Sequence, residues 1–343
     1  MHARPVSLSC VAHSLFNIAR PSVRRAAVFL TLAISAAPIT AIAQSYPTKP
    51  IKIISPFGAG SPPDATARLV AQELSRRFGQ NVVVENRPGA GGTIATKAAA
   101  GEAPDGYTLL QVNAALAYAP ALYANPGYDP LRNFVPVASL ANWSLALVVS
   151  KDVPANSIQE FIAYAKANPG KVNIAFPYGS PPQILAERFK LTTGAPLNSV
   201  PYHQLSQLSA DLMAGRIQAI FSIAPGLVAA VREGKLKALV YAGTARHPAL
   251  KDVPTVAEAG LPDLTLEPSD WVGIVAPAGT RPEIVQTLNT AINDILKSDE
   301  VRATFSKLGW RVTATTPEEF GAFLSSELVK WPRLAKAAGF KPN

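Results

Sequence analysis

Two short stretches of the chain have residue types and spacing that suit binding chemistry. The first, PFGAGSPPDATARL, runs from Pro56 to Leu69 behind the apolar run IKIIS (Ile51 to Ser55) and reads as strand, glycine-bearing loop, helix. The second, PYGSPP, follows the apolar run VNIAF (Val172 to Phe176). Glycine lets a backbone turn tightly and approach a bound group, and a helix N-terminus offers unpaired N–H groups to an anion. The same residues also serve as a plain connector, and both readings stand at this level. Asp64 reads as the N-cap of a helix from Asp64 to Phe78. Its other reading is a group holding a water, or a hydroxyl or cation of a ligand.

Other chemistries are excluded or unsupported. Pro63 stands where a dinucleotide-binding fingerprint needs its third glycine, and no Gly-Lys-Ser/Thr follows either glycine loop. Beyond the leader the histidines are His203 and His247, with no HExxH spacing for zinc and no G-x-S-x-G nucleophile elbow. His203 sits in a loop, as a polar contact or a surface residue, and His247, in GTARHPAL, reads as an exposed loop histidine. Neither catalysis, nor a metal, nor a cofactor is expected.

Arg20, Arg24 and Arg25 precede AAVFLTLAISAAPITAIA, which ends in Ala41-Ile42-Ala43. A basic region, an apolar region and an A-x-A site describe a secretory signal peptide, so residues 1–43 are expected to be removed. Cys10, the single cysteine, lies in that leader, and the mature chain has neither disulfide nor thiolate site. Removing four arginines and no acid lowers the formal charge from +9 to +5. The mature chain has no Lys/Arg run suited to nucleic acid and no further apolar stretch long enough to span a bilayer.

Along the mature chain, short apolar runs alternate with amphipathic ones. Expected strands include NVVVE, YTLLQVN (ending at Asn113), LALVVS, IQAIFSI, KALVYAG and WVGIVAP. Expected helices include Ser157 to Ala167, Leu205 to Ala214, Pro282 to Lys297, Glu300 to Leu308 and one from Pro317. This alternation predicts α/β layers with largely parallel sheets. The chain shows no internal repeat. Its length suits two domains, with SLANWSLALVVS and LEPSDWVGIVAP as the two crossings. The first domain is then discontinuous, 44–147 with 270–343, and the second is 148–269. Ligand sites in such folds lie outside the carboxyl ends of strands.

Taken in order, YPTKPIKIISPFGAGSPPDATARLVAQEL, GQNVVVENRPGAGG, PDGYTLL, YAKANPGKVN, VPY, ADLMAG, DVPTVAEAGLP, WVGIVAPAGT, LGW and TPEEF resemble the Bug proteins. These are extracytoplasmic solute receptors of tripartite tricarboxylate transporters, and the resemblance covers essentially the whole mature chain. It implies a type II periplasmic-binding-protein fold, two α/β domains closing on a ligand cleft. It implies a small organic carboxylate as ligand, a two-component membrane permease as partner, a periplasmic location and no chemistry on the ligand. The expected site residues are Phe57, Gly58, Ala59, Gly60, Ser61 and Asp64 on the first loop, and Tyr178, Gly179 and Ser180 on the second, joined by Asn113, Tyr202, His203 and Gln204. Backbone N–H groups of the two loops would each take part of a carboxylate, so that only closure engages both.

Three departures bear on the ligand. Pro181 and Pro182 replace flexible or hydroxyl-bearing residues and remove backbone donors. His203-Gln204 stands where Lys-Gly is common, and Gln218 where Asp is frequent. The surface of Tyr178, Pro181 and Pro182 suits a flat or aromatic acid. Trp271 reads as a buried core residue at the return crossing. A monomer is expected. The rival expectations are a ligand-dependent partner of a membrane sensor kinase and an exported hydrolase.

Overall fold

The computed structural model describes residues 46–122, 126–202 and 205–339; the leader and the pair His203–Gln204 lie outside the described residues. In chain order the elements are β1 (Ile51–Ser55), α1 (Pro62–Phe78), β2 (Val82–Asn86), α2 (Thr93–Ala100), β3 (Thr108–Asn113), α3 (Ala115–Leu122), β4 (Phe134–Trp143) and β5 (Ala146–Ser150). There follow α4 (Ile158–Ala167), β6 (Asn173–Pro177), α5 (Pro181–Thr193), β7 (Asn198–Tyr202), α6 (Leu205–Met213), β8 (Ala219–Ser222), α7 (Pro225–Arg232) and β9 (Leu236–Tyr241). The chain ends with β10 (Asp270–Pro277), α8 (Pro282–Leu296), α9 (Asp299–Lys307), β11 (Arg311–Val312) and α10 (Pro317–Ala337).

The strands form two sheets, β11-β4-β10-β3-β1-β2 and β7-β6-β8-β5-β9. Each sheet holds a parallel trio in the order second, first, third (β2-β1-β3 and β7-β6-β8), the doubly wound arrangement with a switch point beside the first strand of the trio. The sheets are mixed, not largely parallel. Strands β1, β2 and β3 run parallel, as do β6, β7 and β8, but β10 is antiparallel to β3 and β4, and β5 is antiparallel to β8 and β9. The physical reason is the crossover. The chain leaves β4 of one sheet and enters β5 of the other across Ser144 and Leu145 alone, then returns into β10, so each sheet takes a strand that arrives from outside its own βα units.

Burial follows pattern. Ile51, Ile53 and Ile54 of β1 are fully buried, as befits a strand covered on both faces. Helix α1 turns Thr66, Ala67, Val70, Ala71 and Leu74 inward and stops at Gly79, whose φ of 63° suits a left-handed cap. It begins at Pro62, two residues before the sequence-based start, and its N-cap is Ser61 rather than Asp64. Trp271 and Trp331 are fully buried. Both indole N–H groups donate to Glu327 Oε2 at 2.7 Å, and Lys330 pairs with Glu327 Oε1 at 2.5 Å, so a buried carboxylate between β10 and α10 is satisfied. Strand β4, helix α3 and the short β11 have no counterpart among the expected elements.

Candidate functional site

The two glycine loops turn out to be the same device used twice. Gly60-Ser61-Pro62-Pro63 follows β1 and Gly179-Ser180-Pro181-Pro182 follows β6, the first strand of each sheet's parallel trio. The repeat is four residues long, too short to have stood out as an internal repeat. Both glycines are left-handed, with φ of 78° and 65°. The N–H of Gly60 donates to Asp64 Oδ2 at 2.8 Å, and that of Gly179 donates to Gln183 Oε1 at 2.7 Å, four residues on in both cases. Each serine stands at the N-cap position of its helix and sends its hydroxyl three residues back, Ser61 to the Gly58 carbonyl at 2.7 Å and Ser180 to the Pro177 carbonyl at 2.5 Å, but only Ser61 accepts from its helix.

This geometry corrects the expectation that the helix N-termini present free donors. In α1 the first two positions are prolines, the Asp64 N–H points to Ser61 Oγ at 3.4 Å, and the Ala65 N–H bonds the Ser61 carbonyl at 2.9 Å. In α5 the first two positions are again prolines, and the N–H groups of Gln183 and Ile184 bond the Ser180 carbonyl at 3.0 and 3.3 Å. Gly60, Ser61 and Gly179 spend their N–H groups inside the loops. Phe57 N–H reaches Ser55 Oγ at 3.4 Å. Among the described residues, the N–H groups of Gly58, Ala59 and Ser180 make no hydrogen bond.

Asp64 is 1% exposed and fully engaged. Besides Gly60 it accepts from Arg68 Nε at 2.9 Å and from Asn86 Nδ2 at 2.6 Å. Burial works against its charge, but the hydrogen bonds from Arg68, Asn86 and Gly60 outweigh it and hold the carboxyl below its usual range. Asp64 therefore organises the loop. Asn86 also donates to the Phe57 carbonyl at 3.0 Å, and buried Gln111 ties Ser55 to the Pro63 carbonyl.

A cavity of about 150 Å³ opens between the sheets, lined by Pro62 from one loop, Pro177 and Pro182 from the other, and by Trp143, Phe221, Ser222, Pro225, Asp270 and Trp310. Its walls are the start of α1, the carboxyl ends of β4, β6 and β8, and the start of β10, where α/β folds bind ligands. Trp143 and Trp310 stack with ring centres 4.0 Å apart and planes 7° from parallel. Asn113 ends β3 beside Ala114, whose N–H donates to Asp270 Oδ1 at 3.3 Å. Tyr178 is 53% exposed on the second loop. The Tyr202 hydroxyl donates to Asp211 Oδ2 at 2.7 Å, a structural tie. Sequence reasoning missed Asp270, Trp143 and Trp310. The one available signal was an acid directly before the apolar run at the return crossing.

The same tryptophan pair lines a second cavity, of about 550 Å³, with Tyr241, Arg246, His247, Glu267, Gly309 and Arg311. His247 is 2% exposed and not the surface residue expected. Its Nδ1 accepts from the Ala249 N–H at 3.1 Å, and its Nε2 has no hydrogen-bond partner. Burial lowers its pKa, partly offset by the nearby Gly309 backbone. Among the described residues no group of three or more His, Cys, Asp or Glu is gathered to hold a metal ion, and no helix is long and apolar enough to cross a membrane.

Residues 66–340 match the family of tripartite tricarboxylate transporter receptors. Protein BugT of Bordetella pertussis is 37% identical over 317 residues, which cover 92% of this chain and 96% of that one. The periplasmic binding protein BugD superposes with a TM-score of 0.77 at 30% identity, covering 87% of this chain and 100% of that one. Rpa4515 of R. palustris, solved with adipate, gives a TM-score of 0.79 at 32% identity over 87% of this chain and 100% of its own. With two α/β sheets of the periplasmic-binding-protein kind, the chain belongs to the tripartite tricarboxylate transporter family of solute-binding receptors.

Proposed function

We propose that this receptor captures a small organic carboxylate between two lobes in the periplasm, closes on it, and passes it unchanged to the membrane permease of its transporter. The observation that carries this reading is the matched pair of Gly-Ser-Pro-Pro loops, one on each sheet, that contribute to a single cavity. In this reading the N–H groups of Gly58 and Ala59 hold the acid from one side and that of Ser180 from the other. Gly60, Ser61, Asp64, Gly179 and Tyr202 keep the loops in shape. Asn113 and Phe57 complete the rim, Tyr178 offers a ring surface to a flat acid, and His203 and Gln204, outside the described residues, are kept as proposed ligand contacts. The lobes are 44–147 with 270–343, and 148–269. The sheet crossing at Ser144–Leu145 falls just before β5, which belongs wholly to the second sheet, and the return into the first sheet comes at β10, so the crossings support a two-lobe division close to these bounds. The adipate in Rpa4515 supports the ligand class.

A thermal-shift screen of the refolded protein tests it, across dicarboxylates, citrate, acidic amino acids and benzene carboxylates. A ligand at about 100 times its dissociation constant adds roughly 2.7 kcal/mol, which in a protein of this size raises the midpoint by several degrees. A shift confined to one class of acid is the expected result. A folded protein unmoved by every acid rejects the reading.

A further inference from the structure

Asp270 is the ionisable residue among those lining the cavity between the sheets; the remaining walls are prolines, Leu145, Ile220, Phe221, Ile223, Ala224, the two tryptophans and Ser222. Its Oδ1 is fixed by backbone donors, the N–H of Trp271 at 2.9 Å and that of Ala114 at 3.3 Å. Its Oδ2 accepts no hydrogen bond among the described residues. The charged groups acting on it are Glu327 and Lys330, both on α10. Lys330 makes no hydrogen bond to Asp270; its ammonium lies on Glu327 Oε1 at 2.5 Å and on the Pro268 carbonyl at 3.2 Å. Its neighbours at the β3–α3 junction and on β4, Ala114 and Trp143, carry no titratable group.

A half-buried carboxylate with one idle oxygen in an apolar cavity is costly unless a partner arrives. A plain dicarboxylate is a poor partner, since it brings like charge to the same small space. An ammonium brings three donors and the opposite charge. We propose that Asp270 selects, among small organic acids, those that also carry an amine, its Oδ2 receiving the ligand's ammonium while the loop N–H groups hold the carboxylate. This rests on the carboxylate-receptor reading above. The loop chemistry agrees with it, because four prolines at the two helix starts strip away donors that a purely anionic ligand would use.

Proton linkage separates this from the alternative in which a protonated Asp270 shares its proton with a plain acid. Burial pushes the Asp270 carboxyl up to about 7. An ammonium prefers the ionised form, so amino-acid affinity rises with pH through that value. A plain acid prefers the protonated form, so its affinity falls over the same interval.

The test is calorimetric titration with the matched pairs adipate and 2-aminoadipate, and glutarate and glutamate, between about pH 6 and about pH 8. At the upper pH at least one amino acid of a pair binds about tenfold or more tighter than its plain partner, the value of a charge-assisted hydrogen bond. The two pH slopes have opposite sign, and Asp270→Asn removes both the preference and the slopes. Equal affinities within each pair in the wild-type protein overturn the proposal without any variant, as does an Asp270→Asn protein that keeps the preference. Tight plain acids with no gain from an amine leave the receptor reading standing and reject this one. Failure of all four probes and of every other carboxylate rejects both.

Discussion

At the residue scale the two acids Asp64 and Asp270 show how little an amino-acid type says without its partners. Asp64 is surrounded by donors and ionised, and it acts inward, on the loop. Burial and an idle oxygen turn Asp270 toward the cavity. The sequence told neither apart, since the donors to Asp64 include Asn86 and those to Asp270 include Ala114, 156 positions away. Replacing Asp64 by Ala leaves Arg68, Asn86 and the Gly60 N–H without their acceptor, which costs about 2–4 kcal/mol. Because its folded pKa is depressed, this contribution is complete well above the unfolded value of 3.8 and fades as pH falls through the folded value. Urea midpoints of wild type and Asp64→Ala should therefore be well separated at neutral pH and converge in acid. A constant gap across that range rejects the charged network.

At the scale of elements, much of the α/β order was legible because the apolar runs and helix stops are local signals. The Gly-Ser-Pro-Pro loops were legible as loops at strand ends, and Pro181 and Pro182 of the second could be read directly as missing donors. What was not legible was the burial of His247 within the segment Arg246–Ala249, whose other residues are exposed. His247 there is polar and flanked by Pro248, yet it packs edge-on against Tyr241, with ring centres 5.5 Å apart, and lies against Gly309. A Cβ at Gly309 would approach His247 Nε2 to 2.7 Å, so this junction depends on a glycine far away in the chain. With its folded pKa below 6.5, His247 binds a proton more readily when unfolded. Its effect on stability is therefore absent at pH values above 6.5 and becomes a growing penalty as pH falls below it. Thermal melts from about pH 7 down to about pH 5 should show a steeper loss for wild type than for His247→Gln. Parallel curves would show that the ring is not buried neutral.

At the scale of the whole molecule, the two crossings between the sheets were legible because both are apolar runs flanked by turn residues. The mixed sheets were not, since pairing direction is set by which sheet the crossing strand joins, and no local pattern records that. In the proposed function a ligand held by one loop gains the other only when the lobes close. Gly60 and Gly179 are the matched places to test this. Each has φ in the left-handed region, where a β-branched residue is strained by roughly 1–2 kcal/mol. At Gly60 an added Cβ meets nothing within 4 Å, so the perturbation stays in the loop. Gly60→Val and Gly179→Val should each weaken binding of a ligand found by the screen, with both proteins still folded by circular dichroism. If closure is one event that needs both loops, breaking either forfeits the contribution of both, and the double variant binds little worse than the weaker single one. The coupling measured by such a cycle reports whether the sites act as one. Losses that add in full would mean that the two loops hold the ligand independently, in a cleft already closed without it.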